Sequence, residues 1–279
     1  MLGLLFVSPQ AYYTELDTFL LPCSWRMPGC LVIIGSALLY LQMTFGYHNL
    51  VSRYSMTGRR SLPIHAVRTT RDQDIDSTFT ALDRLLFQRF AWSVATEMNA
   101  SRAAPSYNEL IDSINQLAES RPASQVNDAG KNMLTRLFPA WLLKQYQWMF
   151  ARPFPRFSAW MNAWVTKWTT QWLMGSSAVI DLPLPDGSLA KQQGLKIEKC
   201  RFLETSGCLQ TCIHACKIPT QRFFLEEMGL PVTLSPNVSD YSCTFEFGVL
   251  PVPLQEDPIS NSPCLQICPK GKRSTECGI

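Results

Sequence analysis

The pattern of apolar and polar residues predicts four helices in the middle of the chain. From about residue 76, apolar residues recur at three- and four-residue steps with charged residues between them, which is typical of amphipathic helices. Further helices are predicted over residues 107–119, which follow Pro105 and Ser106 and precede Pro122, over residues 128–150, and over residues 158–174. This half of the chain is therefore expected to be helical.

The fourth predicted helix contains tryptophans at every fourth position. Trp160, Trp164, Trp168 and Trp172 follow one another, and each step of four drifts by about 40° on a helix with 3.6 residues per turn. All four indoles are expected on one slowly winding face. The simplest interpretation is a stripe that packs into the core. The alternative is an aromatic wall for a long apolar ligand, or a face that meets a membrane, because an indole joins an apolar body to one polar tip.

The pattern changes to short β-strands and a broken helix after Gly175. Strands are predicted over residues 178–184, 194–203, 232–234 and 241–247 from their β-branched and aromatic residues, with a turn over residues 185–187. A helix is predicted over residues 208–228, and Pro219 must interrupt or restart it. The expected fold class is α+β: a helical N-terminal half packed on a small cysteine-rich α+β C-terminal module. The predicted divisions are residues 1–71, 72–175 and 176–279.

Charge separates the first 71 residues from the rest. They hold six of the 25 basic and two of the 22 acidic residues, which leaves 19 basic and 20 acidic side chains beyond them. A body so close to neutral gives no support for a nucleic-acid partner.

The same 71 residues are predicted to be a targeting region. Residues 29–47 are uncharged and almost as long as the ~20 apolar residues that span a bilayer. The stretch that follows, up to Arg71, is rich in Ser, Thr and Arg and free of acid, as transit peptides are. We expect import into a plastid. Residues 29–47 could instead be a membrane anchor, and the protein could start at Met27.

The cysteines point either to a metal site or to disulfides. Eight of the ten lie after residue 199, and the spacing Cys-x3-Cys occurs in two separate places, at Cys208, Cys212 and Cys216 and at Cys264 and Cys268. Disulfides would imply secretion, to which the formal glycosylation sequons at Asn99 and Asn237 would conform. A set of thiolates would instead suit zinc or iron.

Helix geometry limits which cysteines can share one ion. Cys208 and Cys216 would lie about 12 Å apart on a regular helix, too far for metal–sulfur bonds of about 2.3 Å. The economical arrangement takes one pair from this helix and a second pair from elsewhere, Cys264 and Cys268 above all. The whole set of candidate metal ligands is Cys200, Cys208, Cys212, Cys216, Cys243, Cys264 and Cys268. Three nearby groups are weaker candidates: the carboxylates of Glu226 and Glu227, and the imidazole of His214, which is more often structural in such a position.

The amino-acid sequence around these cysteines resembles that of the C-terminal domain of the plastid β-carotene isomerase family known from strigolactone biosynthesis. The resemblance covers roughly residues 196–270. Its motifs are Cys200-Arg-Phe-Leu-Glu-Thr-Ser-Gly-Cys208, Cys212-x3-Cys216-Lys-x-Pro-Thr-Gln, Phe223-Phe-x-Glu-Glu-x-Gly229-x-Pro231, Pro236-Asn-x-x-Asp-x-Ser-Cys243, Phe247-Gly-x-x-Pro251-x-Pro253 and Pro263-Cys264-Leu-x-x-Cys268-Pro269.

The resemblance implies an enzyme that uses iron rather than zinc, as a mononuclear ion or an iron–sulfur cluster. It implies reversible trans/cis rotation at the C9–C10 double bond of a carotenoid, either β-carotene or a related xanthophyll. Such rotation requires a temporary loss of bond order, for which a reactive thiolate is one route. Cys208 and Cys212 are therefore the predicted catalytic residues. A possible further partner is the plastid membrane, at its periphery.

The sequence offers no competing catalytic machinery. Phosphate-binding loops, a Gly-x-Ser-x-Gly elbow and a His-Glu-x-x-His pair are all missing, and His214 is the single histidine after residue 71. The alternative function is a non-catalytic plastid paralogue whose cysteine module binds a metal or a carotenoid.

Overall fold

The computed structural model describes residues 75–183 and 188–262, which belong to one compact unit. The predicted targeting region, the turn at residues 185–187 and the cysteines Cys264 and Cys268 lie outside the described residues. The division at residues 175 and 176 stays a prediction.

The first two helices begin at side-chain caps. Helix α1 (Ala81–Glu97) starts with a capping box, in which Thr80 accepts from the backbone of Asp83 and the Asp83 carboxylate accepts from the backbone of Thr80. Helix α2 (Tyr107–Ser120) is capped by Ser106 and matches the predicted range. Its apolar face is buried, with Leu110 and Ile111 fully inaccessible to solvent.

The third predicted helix is in fact two helices. Helix α3 (Ala123–Thr135) ends before Pro139, and α4 (Ala140–Tyr146) begins directly after it. Proline lacks a backbone N–H and its ring clashes with the preceding turn, so it starts a helix but does not continue one. The prediction of one continuous helix over residues 128–150 was wrong for this reason. A π-helical turn, Gln147–Ala151, extends α4.

Helix α5 (Pro155–Met174) contains the tryptophan stripe, and only the last indole is in the core. Trp172 is buried and meets Phe87 and Phe90 edge-on, at ring-centroid distances of 5.8 and 5.7 Å. Trp160 and Trp168 are 40% and 59% exposed. The core-stripe interpretation was therefore correct for Trp172 and wrong for Trp160 and Trp168.

A four-stranded antiparallel sheet follows α5, in the spatial order β1-β2-β4-β3. The strands are β1 (Ser177–Pro183), β2 (Leu189–Ile197), β3 (Val232–Pro236) and β4 (Cys243–Phe247). The sequence predicted that the second strand would reach residue 203. It ends at Ile197, and the short helix α6 (Arg201–Ser206) occupies the rest of that range. The N–H of Cys200 donates to the carbonyl of Tyr241 (2.6 Å) at the point where the chain turns into α6.

The cysteine-bearing helix alternates between α- and π-helical turns. Gly207 has φ +58°, and Cys208 is extended, so the helix begins only at α7 (Leu209–Thr211). A π-helical turn over Cys212–Lys217 leads into α8 (Ile218–Arg222), and a second π-helical turn, Phe223–Glu227, ends the segment. Pro219 lies in the first turn of α8, where the wider preceding turn accommodates it.

One hydrophobic core joins the helices to the sheet. The buried set includes residues of α2, α5, β2, β4 and the π-helical turn Cys212–Lys217, among them Leu110, Ala163, Leu195, Ile213 and Phe247. The predicted α+β class, with helices packed on a small cysteine-rich α+β module, is confirmed. Among the described residues, no helix is both long and apolar enough to cross a bilayer.

Candidate metal centre

Four cysteines from three separate stretches of the chain face one small cavity. Cys200, Cys212, Cys216 and Cys243 all line it. The volume of the cavity is about 10 Å³, which is enough for a single water molecule. The cavity therefore has space for one atom or ion among four sulfur-bearing side chains.

The sheet and the π-helical turn Cys212–Lys217 bring these cysteines together. Cys243 opens β4 and is paired with Ile197 on β2 and with Pro236 on β3, so it lies in the middle of the sheet. Cys200 stands between β2 and α6. Cys212 and Cys216 belong to the π-helical turn that covers the cavity.

The other three predicted ligands stand apart from this group. Cys208 does not line the cavity, because Gly207 and the extended backbone at Cys208 take it out of the helix that carries Cys212 and Cys216. Cys264 and Cys268 lie outside the described residues. The expected arrangement of one helical pair plus a second pair thus has a counterpart here, with Cys200 and Cys243 as the second pair. None of the five described cysteines forms a disulfide.

A buried ion pair adjoins the cavity, and sequence reasoning missed it. Lys217 lines the cavity and donates to the carboxylate of Asp257, and the side chains are only 3% and 10% exposed. Asp257 also accepts from the backbone N–H of Ile259 (3.0 Å). The position of Lys217 directly after Cys216 was the one available signal; nothing in the sequence pointed to Asp257, 40 residues away.

Burial keeps the thiols of the cavity protonated in the metal-free protein. Burial raises the pKa of Cys216 to about 12, and it raises the pKa values of Cys212 and Cys243 well above the ordinary thiol value. The pKa of Cys200 is also raised by burial. The Lys217 ammonium opposes this increase at Cys212 and Cys243 to a lesser degree. A metal that binds here must displace these protons.

The donor atoms suit a soft metal, although their present spacing does not yet form a ligand set. Four thiolates are the usual ligands of zinc and of iron in sulfur sites. Within residues 75–183 and 188–262, however, no three His, Cys, Asp or Glu side chains are spaced to hold one ion. Binding would therefore require the sulfur atoms to approach one another. The cavity volume suits a single ion better than an iron–sulfur cluster, which is several atoms across.

The weaker candidate ligands have other partners. His214 is buried, its Nδ1 lies 3.0 Å from the side-chain amide of Asn127, and burial lowers its pKa, which keeps the ring neutral. Glu226 and Glu227 both form ion pairs with Lys131. None of these three side chains lines the cavity.

This chain is similar in sequence to known proteins. Residues 172–256 match the family model described as "Beta-carotene isomerase D27-like, C-terminal". Residues 172–256 are thus similar to the C-terminal domain of D27-like β-carotene isomerases. It is 27% identical to "Beta-carotene isomerase D27, chloroplastic" of Arabidopsis thaliana over 203 residues, which are 73% of this chain and 75% of that protein. It is 28% identical to the protein of the same name from Medicago truncatula over 196 residues, 70% of this chain and 76% of that one. No solved structure matches.

The D27-like segment contains the whole described cavity. Its 172–256 range begins at Trp172 and includes all four cysteines that line the cavity together with Lys217. Cys264, Cys268 and Asp257 lie beyond its end. The segment therefore brings together three buried cysteines, Cys200, Cys212 and Cys243, and the half-buried Cys216.

Proposed function

We propose that this protein is an iron-dependent cis/trans isomerase of a carotenoid in a plastid. Two relatives bear the name of a chloroplastic β-carotene isomerase over about three quarters of their lengths, which supports the reaction and the location. The substrate in this proposal is all-trans β-carotene or a related xanthophyll, converted to the 9-cis isomer. The observation that carries the proposal is the convergence of four cysteine thiols on one cavity inside the D27-like segment.

The cavity would hold the metal. Cys200, Cys212, Cys216 and Cys243 would be the ligands, with Cys264 and Cys268 as further predicted ones. Bound iron would supply one-electron chemistry, which can lower the order of a polyene double bond for the time that rotation takes. Cys208 and Cys212 stay the predicted catalytic thiols. Cys212 has a buried thiol with a raised pKa, so in the metal-free protein it would be a poor nucleophile.

The polyene must bind outside this cavity. Ligand pockets for molecules of drug size enclose about 300–1,000 Å³, whereas the cavity between the cysteines admits about one water molecule. Carotenoids are apolar molecules that dissolve in bilayers, so the proposal includes a peripheral association with plastid membranes.

The decisive experiment combines metal analysis with a product assay. The full-length protein is purified without oxygen, its iron and zinc contents are measured, and all-trans β-carotene and a xanthophyll are offered separately. Cis isomers are then quantified by chromatography. Iron-containing protein that forms 9-cis product supports the proposal. Iron-containing or zinc-containing protein that forms no product from either carotenoid would favour the alternative, a non-catalytic metal- or carotenoid-binding paralogue.

Two serine variants separate the ligand role from the catalytic role. Cys243→Ser removes a thiol from the cavity and should lower the iron content and the isomerase activity together. Cys208→Ser alters a cysteine that does not line the cavity, so it should keep its iron. If Cys208→Ser keeps iron and loses activity, Cys208 acts in catalysis. If Cys243→Ser keeps full iron and full activity, the assignment of the cavity as the metal site is wrong.

A further inference from the structure

Helix α5 presents an aromatic face to solvent. Phe157, Trp160, Trp164 and Trp168 lie at steps of three or four residues on one side of the helix, and we call these four residues the aromatic face. Three of them are 39%, 40% and 59% exposed, namely Phe157, Trp160 and Trp168, and Trp164 is half-buried. Large apolar side chains grouped in this way on a surface mark an interaction site.

Ring contacts extend and order this face. Phe157 meets Trp160 at a ring-centroid distance of 5.7 Å, Trp164 meets Trp168 at 5.7 Å, and Phe150 meets Phe157 at 6.2 Å. The indole N–H groups of Trp160 and Trp164 both donate to the side-chain oxygen of Gln192 on β2, at 2.9 and 3.2 Å. One amide thus satisfies the polar tips of two indoles, and their apolar rings are left for contact with a partner.

Unpaired positive charge accompanies the aromatic residues. No Asp or Glu occurs from residue 129 to residue 180. Among the described residues, four of the six basic side chains in this stretch form no ion pair: Lys144, Arg152, Arg156 and Lys167. The Lys167 ammonium lies over the Trp164 ring, 5.2 Å from its centroid. The strands packed on α5 carry two acidic groups on either side of this point: Asp181, which accepts from the Gln192 N–H (2.7 Å), and Glu246 of β4, which is paired with Gly194. The exposed Lys191 adjoins Gln192.

Protein surfaces that lie in a membrane interface typically combine exposed tryptophan and phenylalanine with arginine and lysine. The indoles enter the boundary between head groups and acyl chains, and the basic side chains meet anionic head groups. A face of this composition lies in the plane of one leaflet. A second copy of the chain fits less well, because two positively charged surfaces repel each other.

We propose that the aromatic face, together with Lys144, Arg152, Arg156 and Lys167, docks the protein on the surface of a bilayer that contains anionic lipid. The docking is independent of the isomerase reaction. It rests on the proposed function only for the identity of the membrane, from which a carotenoid would be drawn.

The test measures binding of the full-length protein to vesicles in the absence of carotenoid. Vesicles of phosphatidylcholine alone are compared with vesicles that also contain phosphatidylglycerol, by co-sedimentation at low and high salt. Each basic residue near an anionic surface strengthens binding roughly fivefold. Arg152→Gln/Arg156→Gln should therefore weaken binding to the anionic vesicles about 25-fold, and high salt should reduce the difference.

Matched variants outside the surface control for general effects. Arg84→Gln/Arg89→Gln removes two exposed arginines of α1 and should leave the vesicle affinity of the protein unchanged. Trp168→Ser should weaken binding to both kinds of vesicle by at least about tenfold. Trp92→Ser removes an indole of similar exposure, 67% against 59%, from α1 and should have no effect. Thermal unfolding of every variant establishes that it is folded.

Each outcome decides the proposal separately from the isomerase proposal. Equal loss in the α5 and α1 variants, or no loss in either, would overturn membrane docking by this surface. Unchanged vesicle binding of Trp168→Ser with weakened binding of detergent-solubilised β-carotene would also overturn it, because the face would then contact the carotenoid directly. Docking that follows the predicted pattern supports the proposal even if the protein converts no carotenoid.

Discussion

The buried ion pair of Lys217 and Asp257 beside the cysteine cavity should contribute strongly to the stability of the fold. Replacing Lys217 by Met keeps most of the volume of the side chain but leaves the Asp257 carboxylate, which is only 10% exposed, without its cation. Removing one partner of a buried pair costs about 3–5 kcal/mol of folding free energy, because the remaining charge stays desolvated. We therefore expect Lys217→Met to lower the free energy of unfolding by about 3–5 kcal/mol. At roughly 2–4 °C per kcal/mol for a chain of this size, the melting temperature should fall by about 6–20 °C.

The double variant identifies the origin of that loss. Lys217→Met/Asp257→Asn removes both charges while the amide can still accept from the Ile259 N–H, so it should recover most of the stability. Lys199→Met is the matched control, because its partner Glu204 lies in an ion pair whose side chains are 60% and 48% exposed. It should cost less than about 1 kcal/mol. Urea unfolding measures all four proteins. A loss below about 1 kcal/mol for Lys217→Met, or a double variant no more stable than Lys217→Met, would refute this reasoning.

Three further predictions concern packing and protonation. Gly130→Ala should lower the free energy of unfolding by about 1–3 kcal/mol in urea, because its Cβ would lie 2.6 Å from the Cγ of Pro219; no loss would mean that α3 and α8 can move apart. Trp172→Ala should cost about 3–5 kcal/mol in the same assay, whereas Trp168→Ala should cost under about 1 kcal/mol, and equal losses would contradict the assigned burial. The metal-free protein should lose stability as the pH rises from about 9 towards 12. Over this range unfolded chains release their thiol protons, whereas folded Cys216, with a pKa of about 12, keeps its proton. Melting temperatures that do not change over this range would contradict the raised thiol pKa.

The tryptophan stripe shows what periodicity can and cannot predict. The four-residue spacing correctly predicted a helix with the indoles on a winding face. Over three steps that face turns by about 120°, so Trp160 and Trp172 look in different directions, and the spacing cannot say which of them meets the core. Three phenylalanine rings, Phe79, Phe87 and Phe90, decide that Trp172 is buried. Their position depends on how α1 packs on α5, which a local pattern does not contain.

The sequence predicted the cluster of cysteines at the cavity in part. The axial distance between Cys208 and Cys216 excluded a single ion bound by both, and the structure does take Cys208 out of the helix. The positive φ of Gly207 causes this break, and a glycine in an apparently helical segment was a usable signal. The meeting of Cys200 and Cys243 depends on strand pairing between β2 and β4, whose paired residues are 46 to 52 positions apart in the chain.

The π-helical turns make the length of the cysteine-bearing segment as important as its composition. Each π turn closes over five residues instead of four, so Cys212–Lys217 holds one residue more than an α-helical path would. If the same residues formed an ordinary α-helix instead, everything after them would rotate by about 100°. Gln221, whose side chain accepts from the N–H of Leu234 (3.0 Å) on β3, would then leave its partner. The extra residue in the π turn therefore sets the direction in which the rest of the segment meets the sheet.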